Sequence, residues 1–160
     1  MNIENLNTPL AKSKDYLNKA YQFQMKGQFE EAILNYKLSL DHFPTAEAHT
    51  FLGWTYSFIG DLDKAIDECK KAISVDPDYG NPYNDIGSYL IQLGKHDEAL
   101  TWLELAINAK KYDNHHFALH QVGCHFAHDG ISGFQRADGD LQLAHPLFQC
   151  LSQRLGLFQS

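Results

Sequence analysis

Cysteine is scarce in this chain: Cys69, Cys124 and Cys150 are the only three in 160 residues, an odd number at spacings far wider than a Cys-x-x-Cys pair. That argues against a disulfide framework and a zinc ribbon, so the three read as reduced thiols. Long apolar runs are also missing. None approaches the roughly 18 residues needed to span a bilayer, and Met1 to Leu10 lacks a positive stretch followed by an apolar one. A soluble cytoplasmic protein without membrane association is expected. Basic side chains are outnumbered, 13 Lys and Arg against 20 Asp and Glu, for a formal charge of −7. Neutralising phosphates needs clustered cations, so nucleic acid is not an expected partner. The catalytic signatures are missing as well: no phosphate-cradling Gly-x-x-x-x-Gly-Lys, no Gly-x-Ser-x-Gly elbow and no His-Glu-x-x-His. Neither an enzyme nor a cofactor is expected.

What the chain has is a repeat. Gly27-Gln-Phe-Glu-Glu-Ala32 returns as Gly60-Asp-Leu-Asp-Lys-Ala65 and again as Gly94-Lys-His-Asp-Glu-Ala99, at offsets of 33 and 34 residues. Each unit carries two apolar patterns at helical spacing, with the glycine between them where a left-handed helix end forms without a Cβ penalty. Each unit is therefore expected to be a helical hairpin. Small residues (Ala20, Ala32, Ser39; Gly53, Ala65, Ala72; Gly87, Ala99, Ala106) recur where the paired helices must approach closely. Pro44 and Pro77 bias Phe43 and Asp76 away from the helical region, and Asn81-Pro82 reads as an N-cap followed by proline at the first helical position.

These residues resemble the tetratricopeptide repeat family, with its period of about 34 residues. In the second unit Leu52, Gly53, Tyr56, Gly60, Ala65, Ala72 and Pro77 follow the family pattern, and in the third Tyr83, Gly87, Gly94, Ala99 and Ala106 do. The departures are Lys19 for a leucine, Cys69 for an aromatic and Lys111 for the closing proline. The resemblance implies an all-α, right-handed superhelical solenoid of antiparallel helical hairpins, with three full repeats and a distorted fourth. The expected division is 1–12 as a tail or the start of the first helix, repeats at 13–45, 46–79 and 80–113, and a degenerate fourth repeat at 114–160.

The fourth unit begins in register with Leu119, Val122, Gly123, Phe126 and Gly130, but its Gly139-Asp-Leu-Gln-Leu-Ala144 signature arrives nine residues late. An inserted loop near 131–138 and a C-terminal helix are expected there. Composition shifts too: all eleven lysines lie at or before Lys111, both arginines lie after it, and five of the nine histidines fall between His115 and His128. A fusion, a shifted frame or an atypical terminal cap would each produce that change. The apolar series Leu143, Leu147, Phe148, Leu151, Leu155 and Leu157 would favour a homo-oligomer if left uncovered.

By the resemblance, the first helix of each hairpin lines a concave groove that takes a protein or peptide ligand. Tyr21, Met25, Thr50, Trp54, Phe58, Asn84 and Ser88 are the expected contact residues, with Trp54 as principal anchor; packing of the aromatics against neighbouring hairpins is the competing reading. Family members that bind chaperone C-termini use a clamp of lysine, asparagine and arginine. The matching positions here hold Leu17, Tyr21, Phe51, Asn81 and Asp85, so a carboxylate ligand of that class is not expected. A second constellation, His116, His120, Cys124 and His128, falls on one helix stripe and offers ligands suited to zinc, copper or nickel. One helix supplies too few ligands by itself, so the stripe is read first as a polar wall. The chain is accordingly expected to be an adaptor, with a metal-binding module and a self-assembling structural protein as the alternatives.

Overall fold

The computed structural model describes residues 8–112 and, in backbone, the segments 134–137 and 140–143. The chain divides into two units, Met1–Ala118 and Leu119–Ser160. The described part of the first unit consists of six helices: α1 (Pro9–Met25), α2 (Phe29–His42), α3 (Ala46–Phe58), α4 (Leu62–Val75), α5 (Asn81–Gln92) and α6 (His96–Asn108). Helices α1 and α2, α3 and α4, and α5 and α6 pair as hairpins; α2 packs on α3 and α4 on α5, making an all-α helical-repeat solenoid. No described helix is long and apolar enough to cross a membrane.

The three hairpins close in the same way because the same glycine recurs. Gly27, Gly60 and Gly94 have φ of 73°, 82° and 73°. There the backbone makes the paired bonds of a Schellman turn: Gln28 N–H donates to the Phe23 carbonyl, Asp61 N–H to Tyr56 and Lys95 N–H to Leu90, each at 2.9–3.0 Å. Helix starts are capped by Thr8, Thr45 and Asp61, whose side-chain oxygens accept from the Ala11, Ala48 and Lys64 amides at 3.1–3.2 Å. Phe43 and Asp76, each preceding a proline, are extended as expected. The α5 start differs by one residue: Gly80 is the N-cap, and the Asn81 side chain instead donates to the Tyr79 hydroxyl at 3.1 Å. Lys111, standing where the family closes on proline, uses the amide that proline lacks: its N–H donates to the Asp78 carbonyl, its own carbonyl accepts from Gly80 N–H, and its ammonium pairs with Asp76 at 2.7 Å.

All nine small repeat positions are buried. The core adds Tyr36, Leu52, Ile86 and Leu103. Inside the first two hairpins runs a polar link: the Tyr36 hydroxyl of α2 donates to Gln24 Oε1 of α1 at 2.6 Å, and the Thr55 hydroxyl of α3 lies 3.1 Å from the same oxygen. Burial pushes the Tyr36 phenol well above its ordinary value, so it acts only as a neutral donor. Gln24→Ala therefore leaves that hydroxyl buried without its acceptor, and a loss of about 1–3 kcal/mol is expected in urea unfolding. Adding Tyr36→Phe should recover part of the loss. A double variant no more stable than Gln24→Ala alone would show that the hydroxyl is not the cause.

In the second unit, β1 (Phe134–Ala137) and β2 (Asp140–Leu143) pair antiparallel, with Phe134 opposite Leu143 and Ala137 opposite Asp140. The first strand falls within the segment 131–138 that was expected to be an inserted loop, and the second within the Gly139-Asp-Leu-Gln-Leu-Ala144 signature that follows it. The register leaves two residues, Asp138-Gly139, between paired positions, and Asp-Gly is the dipeptide that two-residue hairpins select. The expected fourth-repeat helices and C-terminal apolar helix lie outside the described residues.

Candidate functional site

Helices α1, α3 and α5 are neighbours along one side of the first unit: α3 touches both α1 and α5. Gly53 sets the orientation of α3. A Cβ there would sit 2.9 Å from the Ala65 carbonyl oxygen, so this face of α3 lies directly on α4. One residue further, Trp54 is turned by about 100° away from that contact, and the residue is 37% exposed. The helical period then brings Phe51 and Phe58 to the same side, three residues before Trp54 and four after it.

The result is a continuous aromatic run. Trp54 and Phe58 have ring centroids 5.3 Å apart, Phe51 and Trp54 6.2 Å, and Tyr21 of α1 reaches Phe51 at 5.7 Å. Tyr21 and Phe58 are about half exposed and Met25 is more open still. Phe29 of α2 stacks on Phe58 at 5.5 Å. Tyr21, Trp54 and Phe58 therefore share one patch, but Phe51 connects them. The sequence reading weighed Phe51 only as a clamp position, although its place three residues before Trp54 already put it on that side.

Next to this run lies a cavity of about 420 Å³ between α3 and α5, lined by Thr50, Phe51, Trp54, Asn81, Asn84, Asp85 and Tyr112. Thr50 shapes its wall but offers little to a ligand: it is buried, and its hydroxyl donates to the Ala46 carbonyl at 2.7 Å. Asn84 lines the cavity, whereas Ser88 is not among its lining residues. Gln24 of α1 is buried in the polar link already described. Asp85 is the one carboxylate of the lining. Burial pushes it up to about 7, against a smaller opposing effect of the Asn84 amide, whose Nδ2 lies 3.4 Å from Asp85 Oδ1. The Oδ1 atom of Asn84 is itself buried without a hydrogen-bond partner among the described residues.

The histidine and cysteine stripe, His116, His120, Cys124 and His128, lies outside the described residues. Among those described, no group of three or more His, Cys, Asp or Glu is placed to hold a metal. Cys69 is a free, buried thiol against α3.

Comparisons with known proteins agree with the helical-repeat fold. The Tetratricopeptide repeat family matches at residues 46–79 and again at 81–113. Of the curated proteins, none matches the chain. Among solved structures the chain is similar to MamA, with 24% identity over 75% of this chain and 70% of that one and a TM-score of 0.66. It is similar also to the first tetratricopeptide domain of Spaghetti (RPAP3) bound to the HSP90 peptide SRMEEVD, at 19% identity, 78% and 98% coverage and a TM-score of 0.69. The Arabidopsis OM64 tetratricopeptide domain matches at 16% identity, 75% and 98% coverage and a TM-score of 0.68. Identities this low carry the fold alone.

Proposed function

Because the chain is a tetratricopeptide-repeat protein over residues 46–113, we propose that it acts by holding an extended peptide or a helix of another protein against the α1, α3 and α5 side, as an adaptor and not as a catalyst. The observation that carries this reading is the exposed aromatic run from Tyr21 through Phe51 and Trp54 to Phe58. A hairpin gains little stability from aromatic surface it leaves in water. A ligand that covers the surface gains the area and dominates the interface energetics through it. The solved Spaghetti domain holds a peptide ending in acidic residues. This chain has Leu17, Tyr21, Phe51, Asn81 and Asp85 at the clamp positions, with no cation to receive a carboxylate, so a ligand of different chemistry is favoured.

The test is Trp54→Ala. A partner captured from native lysate on wild-type protein should bind the variant about thirtyfold more weakly, the loss of roughly 2 kcal/mol that removal of an anchor produces. Folding should lose less, since Trp54 is more than a third exposed. A variant that unfolds while its folded fraction binds normally would make Trp54 a core residue and end the groove reading.

A further inference from the structure

The cavity beside the aromatic run is lined by one carboxylate and no cationic side chain. Its floor carries the Asp85 carboxylate, which among the described residues receives a single long hydrogen bond, from Asn84 Nδ2 at 3.4 Å. Asn84 Oδ1, buried without a hydrogen-bond partner among the described residues, is a second acceptor beside the cavity. The walls are the rings of Phe51 and Trp54, and no Lys, Arg or His is among the lining residues. Buried acceptors without donors are costly, and the cost is removed by whatever brings donors to them.

Negative charge, acceptors and aromatic faces together define the missing group. A guanidinium has five N–H donors in a plane and two flat faces; it forks onto carboxylates, stacks on indole and is weakly hydrated, so it loses little on entering such a site. We infer that the cavity between α3 and α5 receives an arginine side chain carried by the bound segment, with Asp85 and Asn84 as its acceptors and Trp54 as its stacking surface. The inference rests on the groove reading above and specifies its ligand: a basic segment, opposite in sign to the chain's formal charge of −7. An acidic segment meets like charge at Asp85 and leaves the Asn84 acceptor unanswered. Lysine fits the charge but offers a point where the site presents a plane.

A titration of the isotope-labelled full chain tests this without knowledge of the natural partner. The probes are short glycine–alanine peptides with one central arginine, lysine, citrulline or glutamate, and the readout is the Trp54 indole N–H with the Asn81 and Asn84 side-chain amides. Arginine should bind about tenfold more tightly than citrulline, the neutral isostere, with lysine between them and glutamate weakest. Asp85→Asn should abolish the preference of arginine over citrulline. Equal shifts from all four peptides would overturn the arginine assignment while leaving a groove that binds extended chain. No shift from the arginine peptide at about ten millimolar would overturn the assignment too, and the Trp54→Ala comparison judges the groove separately.

Discussion

Asp85→Asn should make the free protein more stable at pH 8, by about 2 kcal/mol, and leave its stability unchanged below about pH 4. The sign follows from the direction of the shift. Burial raises the Asp85 carboxyl from its ordinary 3.8 to about 7, so between those values the folded chain holds a proton that the unfolded chain releases. Stability contributed by that proton is present below the unfolded value, falls as pH rises through the window and is gone above the folded value. Asparagine stays neutral throughout and escapes the loss. The full shift corresponds to about 4 kcal/mol at most; water reaching the partly exposed residue screens the charge, and half of that is the expected size. The surrounding Cys69, Tyr79 and Tyr89 are all displaced upward, Tyr79 to about 12, and none titrates in this interval. Urea unfolding of both proteins from pH 4 to 8 measures the difference directly, and parallel profiles would refute the buried carboxylate.

Gly53→Leu should cost more, at about 3 kcal/mol or beyond. The added Cβ would lie 2.9 Å from the Ala65 carbonyl oxygen and 3.2 Å from Cys69 Sγ. The first of these is backbone inside α4 and cannot rotate aside, so α3 and α4 must separate, and the rest of the leucine widens the gap; overpacking of this kind typically costs 1–3 kcal/mol, occasionally more. Gly60→Ala is the informative control. Its Cβ would meet nothing within 4 Å, but its φ is +82°, so it should lose about 1 kcal/mol through backbone strain alone. Thermal unfolding that ranks the two equally would mean that the hairpin does not close on Gly53.

The two glycine classes were legible in the sequence because they fall at different places in the repeat: one between the apolar patterns, the other within them. Helix ends at Phe43 and Asp76 were legible because proline restricts its predecessor regardless of context. Tyr21, Trp54 and Phe58 were placed together by the family resemblance, and their rings form one run through Phe51. Thr50 shows where register stops. Its position points toward the cavity, but its hydroxyl closes on a carbonyl one turn back, a choice that helical period does not encode. The Asp85 environment was equally hidden: the sequence marks it as the wrong residue for a carboxylate clamp, whereas its desolvation depends on how α3 and α5 pack around it. In 134–143 the segment was read as an inserted loop running into a late copy of the repeat signature, Gly139-Asp-Leu-Gln-Leu-Ala144. The Asp-Gly pair before Asp140 was the stronger local signal, because the backbone it favours turns a chain back on itself.

The packing of Trp54 between the tilted rings of Phe51 and Phe58 bears on how fast and how specifically a ligand can be held. A free indole on a surface samples several rotamers, and a ligand must select one, giving up roughly 0.5–1.5 kcal/mol of its gain for each side chain it immobilises. Here the neighbouring rings impose that selection when the chain folds. If the proposed groove takes a ligand, that side-chain cost is already met, and segments whose shape fits the ring arrangement are favoured over those that would have to mould it.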